Sequence, residues 1–107
     1  MPGKLWRSEV EHAQTFGRHA FITYTTTSAS AENALLVAGR MEEIQKISIV
    51  VDTADCYIEF DGTATTSSLL LPAGEGYSDN NLSIITNISV IRSGGTNARI
   101  RIAAWGR

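Results

Sequence analysis

"ISVIRSGGTNARIRIAAWGR", residues 88–107, is the stretch whose reading decides the fold. Apolar and polar residues alternate from Ile88, break at Gly94-Gly95, and alternate again from Ala98 to Trp105. A period of two marks a strand with one buried face. Taken as a hairpin with Arg92–Thr96 as its loop, the stretch sets Val90 opposite Ala98, Ile88 opposite Ile100, Thr86 opposite Ile102 and Ile84 opposite Ala104. All the apolar partners then share one face, while Ser89 meets Arg99, Asn87 meets Arg101 and Ser83 meets Trp105 on the other. A slip of one residue mixes the two sets, so the pattern selects its own register. The expectation is a C-terminal hairpin whose inner face completes a core, with Trp105 covering a sheet edge or meeting a neighbouring subunit.

Upstream, the same period recurs. "HAFITYTTT" (residues 19–27) is rich in β-branched and aromatic residues, and "IQKISIVVD" (44–52) puts Ile47, Ile49 and Val51 on one face. "DCYIEFDG" (55–62) puts Cys56, Ile58 and Phe60 inward and Tyr57 and Glu59 outward before Asp61-Gly62 turns the chain. "SSLLLPAGEGY" (67–77) is a strand stopped by Pro72 and a Pro-Ala-Gly turn. "NALLVAG" (33–39) is a short apolar run, but "AENALLVAGRMEEIQK" (31–46) has enough Leu, Ala and Glu to suit a helix as well. The Thr/Ser-rich "TYTTTSASAEN" (23–33) reads as a flexible loop. Seven to eight short antiparallel strands with regular turn signals predict an all-β fold, a single β-sandwich or jelly roll. Residues 19–107 form that domain. Residues 1–18 lack a strand pattern and form an N-terminal arm, where Ser8 and Glu11 fit a capping box of a short helix.

A chain of 107 residues forms one domain with a large share of its surface exposed, so association with neighbours helps it. A net charge of −2 argues against nucleic-acid binding driven by overall charge. The single cysteine excludes an internal disulfide. No stretch has the roughly 18 apolar residues of a membrane span, and no apolar run near the start suits a signal peptide, so a soluble intracellular product is expected. Between Asp52 and Asp79 lie six acids and no Lys or Arg, whereas Arg92–Arg107 holds four arginines and no acid. These two regions meet either across strands of one molecule or between copies in a head-to-tail array.

Candidate chemistry is sparse. His12 and His19 lie near the N-terminus, and Cys56 points inward, which suits a structural thiol better than a nucleophile. Asp52, Asp55, Glu59 and Asp61 are dense enough to raise glycoside hydrolysis or calcium binding, yet Asp55 and Asp61 flank opposite ends of one strand and the spacing is not that of an EF-hand. They read as solvated turn acids. Arg92, Arg99 and Arg101 with Trp105 and Tyr57 raise a nucleic-acid surface, against which the net acidity and few aromatics argue. Asn81-Leu82-Ser83 and Asn87-Ile88-Ser89 match the glycosylation pattern without a signal peptide to give it meaning. No catalytic, metal or cofactor site is expected.

"ADCYIEFDGTATTSSLLLPAGEGYSD" (54–79) followed by the C-terminal stretch resembles small virion-associated proteins of tailed bacteriophages. The resemblance rests on a Tyr-x-Glu-Phe strand, a Ser/Thr-rich turn, a Pro-Ala-Gly-Glu turn and a closing Ala-Trp-Gly, and covers roughly residues 44–107. It implies a non-enzymatic structural role in the virion: a capsid decoration or cement protein contacting the major capsid protein or other subunits, and further copies of itself. Neither nucleic acid nor membrane is implied as a partner. The contact residues expected on this reading are Leu5, Trp6 and Phe16 in the arm and Arg99, Arg101 and Trp105 in the last strand. The alternative is a tail or fibre module that binds a host surface glycan through loops such as Thr63–Ser68 or Ser93–Asn97.

Overall fold

The computed structural model describes residues 17–107. The expected arm helix, His12 and the expected contact residues Leu5, Trp6 and Phe16 lie outside the described residues. The described chain contains eight strands and no helix: β1 (Arg18–Thr25), β2 (Glu32–Leu36), β3 (Ile44–Asp52), β4 (Cys56–Phe60), β5 (Leu69–Leu71), β6 (Gly76–Asp79), β7 (Asn87–Arg92) and β8 (Arg99–Gly106). They form two four-stranded sheets, ordered β1-β8-β3-β6 and β2-β7-β4-β5, in which every neighbouring pair is antiparallel.

The C-terminal hairpin does not form. β7 pairs with β2 and β4, whereas β8 pairs with β1 and β3 in the other sheet. Residues 93–98 therefore carry the chain from one sheet to the other. In a hairpin the apolar sides of two strands lie side by side on one face; in this crossing they face each other through the core. Both arrangements bury the same alternate residues, so Ile88, Val90, Ile100 and Ile102 are inside as expected although none of their expected cross-strand partners is real. The crossing is held at its base by Thr26, fully buried, whose N–H donates to Ala98 O at 2.9 Å while its Oγ1 accepts from the Ala98 N–H at 2.9 Å.

One core lies between the sheets. Ile47, Ile49 and Val51 of β3 and Ile100, Ile102 and Ala104 of β8 meet Cys56 and Ile58 of β4 and Ile88 and Val90 of β7. Each such buried Val or Ile contributes about 1.5–3 kcal/mol relative to exposure, and the single cysteine leaves no internal disulfide to add to it. The ambiguous stretch 31–46 holds β2, a turn and the first residues of β3. Leu35 and Val37 enter the core while β7 offers an open ladder to β2, and Gly39 at φ 83 reverses the chain. The Thr/Ser-rich stretch is likewise pinned: Glu32 accepts hydrogen bonds from the Tyr24 hydroxyl at 2.6 Å and from the Thr27 and Ser28 N–H groups. That bond pushes the Tyr24 hydroxyl up to about 12.

The turn after β5 follows its residues. The Glu75 N–H donates to Pro72 O at 3.0 Å and Gly74 adopts φ 88, the left-handed geometry of a type II turn. At Gly106 the need is space, because a Cβ there would stand 1.8 Å from Glu43 O.

Candidate contact face

Alternation gives each sheet an outer face, and the two are finished differently. In the first sheet β8 is interior, flanked by β1 and β3, so Trp105 caps no edge; it stands on the outer face. The registers align His19, Trp105 and Lys46 in one row and Phe21, Ala103 and Ser48 in the next. Thr23, Arg101 and Val50 form the third row, and Thr25, Arg99 and Asp52 the fourth. Phe21 is 67% exposed and Val50 42%. Trp105 meets the Phe21 ring edge-on, with centroids 5.9 Å apart, and Lys46 Nζ lies 4.9 Å from the Trp105 ring centroid. Large residues thus bound a floor of small ones. One shallow depression of about 540 Å³ runs past Lys46, Ser48, Ser78, Asp79, Asn80 and Trp105, and another of about 310 Å³ past Phe21, Thr23, Val50, Arg101 and Ala103.

Arg99 and Arg101 share one acid. Arg99 Nε lies 2.8 Å from Asp52 Oδ1 and Arg101 Nε 3.1 Å from Asp52 Oδ2. The Arg99 bond, then that of Arg101, holds the Asp52 carboxyl below its ordinary range. The acidic middle and the basic end therefore meet within one molecule at this point, and the second arginine leaves the triad with one net positive charge. Arg92 belongs to the other sheet, where it donates to Asn97 Oδ1 at 2.6 Å, so the three arginines expected together are divided.

The second sheet's outer face is covered at its centre by its own chain. The segment 61–68 folds over it: Ala64 N–H donates to Ser89 Oγ at 2.9 Å, Asn87 Nδ2 to Gly62 O at 3.1 Å and to Asn33 Oδ1, and Ser68 Oγ to Glu59 Oε1 at 2.8 Å. Ser89 and Asn87 are buried as a result. The Asn87 side-chain nitrogen is committed to these bonds, which leaves its glycosylation pattern without a free acceptor.

The expected turn acids do more than face solvent. Asp61, at φ 56, accepts from the N–H groups of Ile85 at 3.0 Å, Thr86 at 2.6 Å and Asn87 at 3.3 Å, clamping the end of β4 to the entry of β7. Desolvation pushes its carboxyl up, but the three backbone donors outweigh this and leave it below the ordinary range. Asp55 accepts from Ala73 N–H at 2.8 Å. Each of the four acids thus has its own separate partner. Among the described residues no group of three or more His, Cys, Asp or Glu is placed to hold a metal ion. Cys56 is buried in β4, and burial pushes its thiol up to about 11; His19 stands on the outer face of the opposite sheet.

Phe21, Val50 and Lys46 were not singled out from the sequence, because pairing β8 with β7 hid its true neighbours. A signal existed: Phe21 and Val50 are apolar residues on the polar parity of their strands. No protein-family model matches the chain, and no curated protein is significantly similar to it.

Proposed function

We propose that the protein is a structural subunit of a phage virion, of the capsid decoration or cement kind, which works by contact with the major capsid protein or other virion subunits and converts no substrate. The observation that carries this reading is the outer face of the first sheet, which no described segment crosses and where Phe21 and Val50 are exposed beside Arg99 and Arg101. A contiguous apolar patch rimmed by charge is the usual form of a protein contact site. The strand order β1-β8-β3-β6 and β2-β7-β4-β5 supports a jelly roll, an architecture that recurs in viral capsid domains but also in lectins. Leu5, Trp6 and Phe16 of the N-terminal arm are proposed as further contact residues. The test is decoration of undecorated phage shells by purified protein. The expected result is saturable binding that falls with Phe21→Ser and Val50→Asp, and is lost without residues 1–18. Normal decoration by these variants sinks the reading.

The depression beside Trp105 favours a second reading, a tail or fibre module for host glycans. An aromatic ring, two serine hydroxyls, Asn80 and Asp79 converge there. Binding to host cells that Asn80→Ala and Trp105→Ala abolish, with shells undecorated, selects it.

A further inference from the structure

Among the described residues four strands end the two sheets, and three of them are blunted. β2 carries a register shift between Asn33 and Leu35, β5 has three residues and runs into Pro72, and β6 has four, between Gly76 and Asp79. These are the devices that keep sheet edges from pairing with other chains. β1 has none of them. Its eight residues, Arg-His-Ala-Phe-Ile-Thr-Tyr-Thr, hold no proline, lysine or acid and pair with β8 without any shift.

The ladder tells which groups this edge offers. Thr26 N–H donates to Ala98 O, and hydrogen-bonded pairs alternate in an antiparallel ladder. Continuing that register, Tyr24, Ile22 and Ala20 bond to β8, while His19, Phe21, Thr23 and Thr25 turn their N–H and C=O groups away from it. Inside the same strand Ala20, Ile22 and Tyr24 are only partly buried at the margin of the core.

We infer that β1 pairs antiparallel with β1 of a second copy about a twofold axis, joining two first sheets into one of eight strands. The antiparallel sense follows from charge. Parallel pairing stacks Arg18 and His19 on their own copies, whereas antiparallel pairing carries Arg18 toward the far end of the other β1, where Glu32 holds the Tyr24 hydroxyl at 2.6 Å. Equal parity is kept, so Ala20, Ile22 and Tyr24 of both copies meet on the core side and the Phe21 rings on the outer side. The pairing is isologous and closes at two copies. It is independent of what the outer face binds.

Sedimentation velocity of the full chain across micromolar to sub-millimolar concentrations tests it. A reversible dimer is expected. Thr23→Pro removes an N–H that serves only the free edge, and should weaken dimerisation about tenfold or more while the far-ultraviolet circular dichroism stays that of the parent. If that variant misfolds, Thr23→Lys sets two like charges near the axis and should act in the same direction. Val50→Asp, on the sheet face, should leave the dimer intact. A chain that stays monomeric overturns the inference, as does a dimer that Val50→Asp breaks and the Thr23 variants leave whole.

Discussion

The two sheets of this protein have the same number of strands and share one core, yet their outer faces differ in kind. Over β7 and β4 the segment 61–68 lies down and makes hydrogen bonds to Ser89, Asn87 and Glu59, so that polar residues become buried there. Over β8 and β3 no described segment crosses, and Phe21 and Val50 remain open. What is covered is the polar centre of the second face; Leu36 and Leu70 on that same face stay exposed away from the covered centre, as Phe21 and Val50 do on the first. The first sheet's outer face, which no described segment crosses, is where the proposed contact is placed.

That comparison can be broken in several ways, the most severe first. Gly106→Ala forces a Cβ against Glu43 O and should cost about 3 kcal/mol in urea unfolding, because β8 and β3 must part. A cost near zero would mean that the first sheet is loose and that its bare face reflects poor packing. On the covered face, Asn87→Ala leaves Gly62 O and Asn33 Oδ1 without their donor and should cost about 2 kcal/mol by the same measurement. Asp61→Ala, which releases three backbone N–H groups, belongs at a similar or slightly smaller value.

Asp61 also gives a pH signature. Its folded carboxyl titrates below its unfolded value, so its stabilisation is complete above about pH 4 and is lost as the pH falls through the folded value. The parent should therefore lose thermal stability on acidification through this window more steeply than Asp61→Ala does. Parallel curves would remove the clamp from the account, although Asp52, lowered in the same sense, adds its own slope to both.

At the small end lies the bare face. Val50→Asp should change stability by no more than about 0.5 kcal/mol while removing shell binding, since it disturbs contact with others and little within the molecule. A loss of 2 kcal/mol or more, roughly that of a buried residue, would show the face to be structural.

Much of this was legible in the residues. Ile47, Ile49 and Val51, Cys56 and Ile58, and Ile88, Val90, Ile100 and Ile102 are all inside, as a period of two requires. The turn at Pro72–Glu75 follows from Pro and Gly alone. The carboxylates were harder to read. Asp61 looks the same in sequence whether it faces water or holds three N–H groups, because its partners are 24 to 26 residues away. The proposed contact face was half legible: Arg99, Arg101 and Trp105 share one side of β8 as alternation demands, but Phe21, Val50 and Lys46 joined them only when β8 found its neighbours.

Which side of each strand is buried was settled by the sequence, since side chains alternate on any strand whatever its partner. Which strand lies beside which was settled by the tertiary structure. A hairpin and a crossing between sheets bury the same residues of β7 and β8, and local pattern holds no term that separates them. The choice is made by closure of the whole core, in which both strands must be interior and each needs two neighbours drawn from distant parts of the chain.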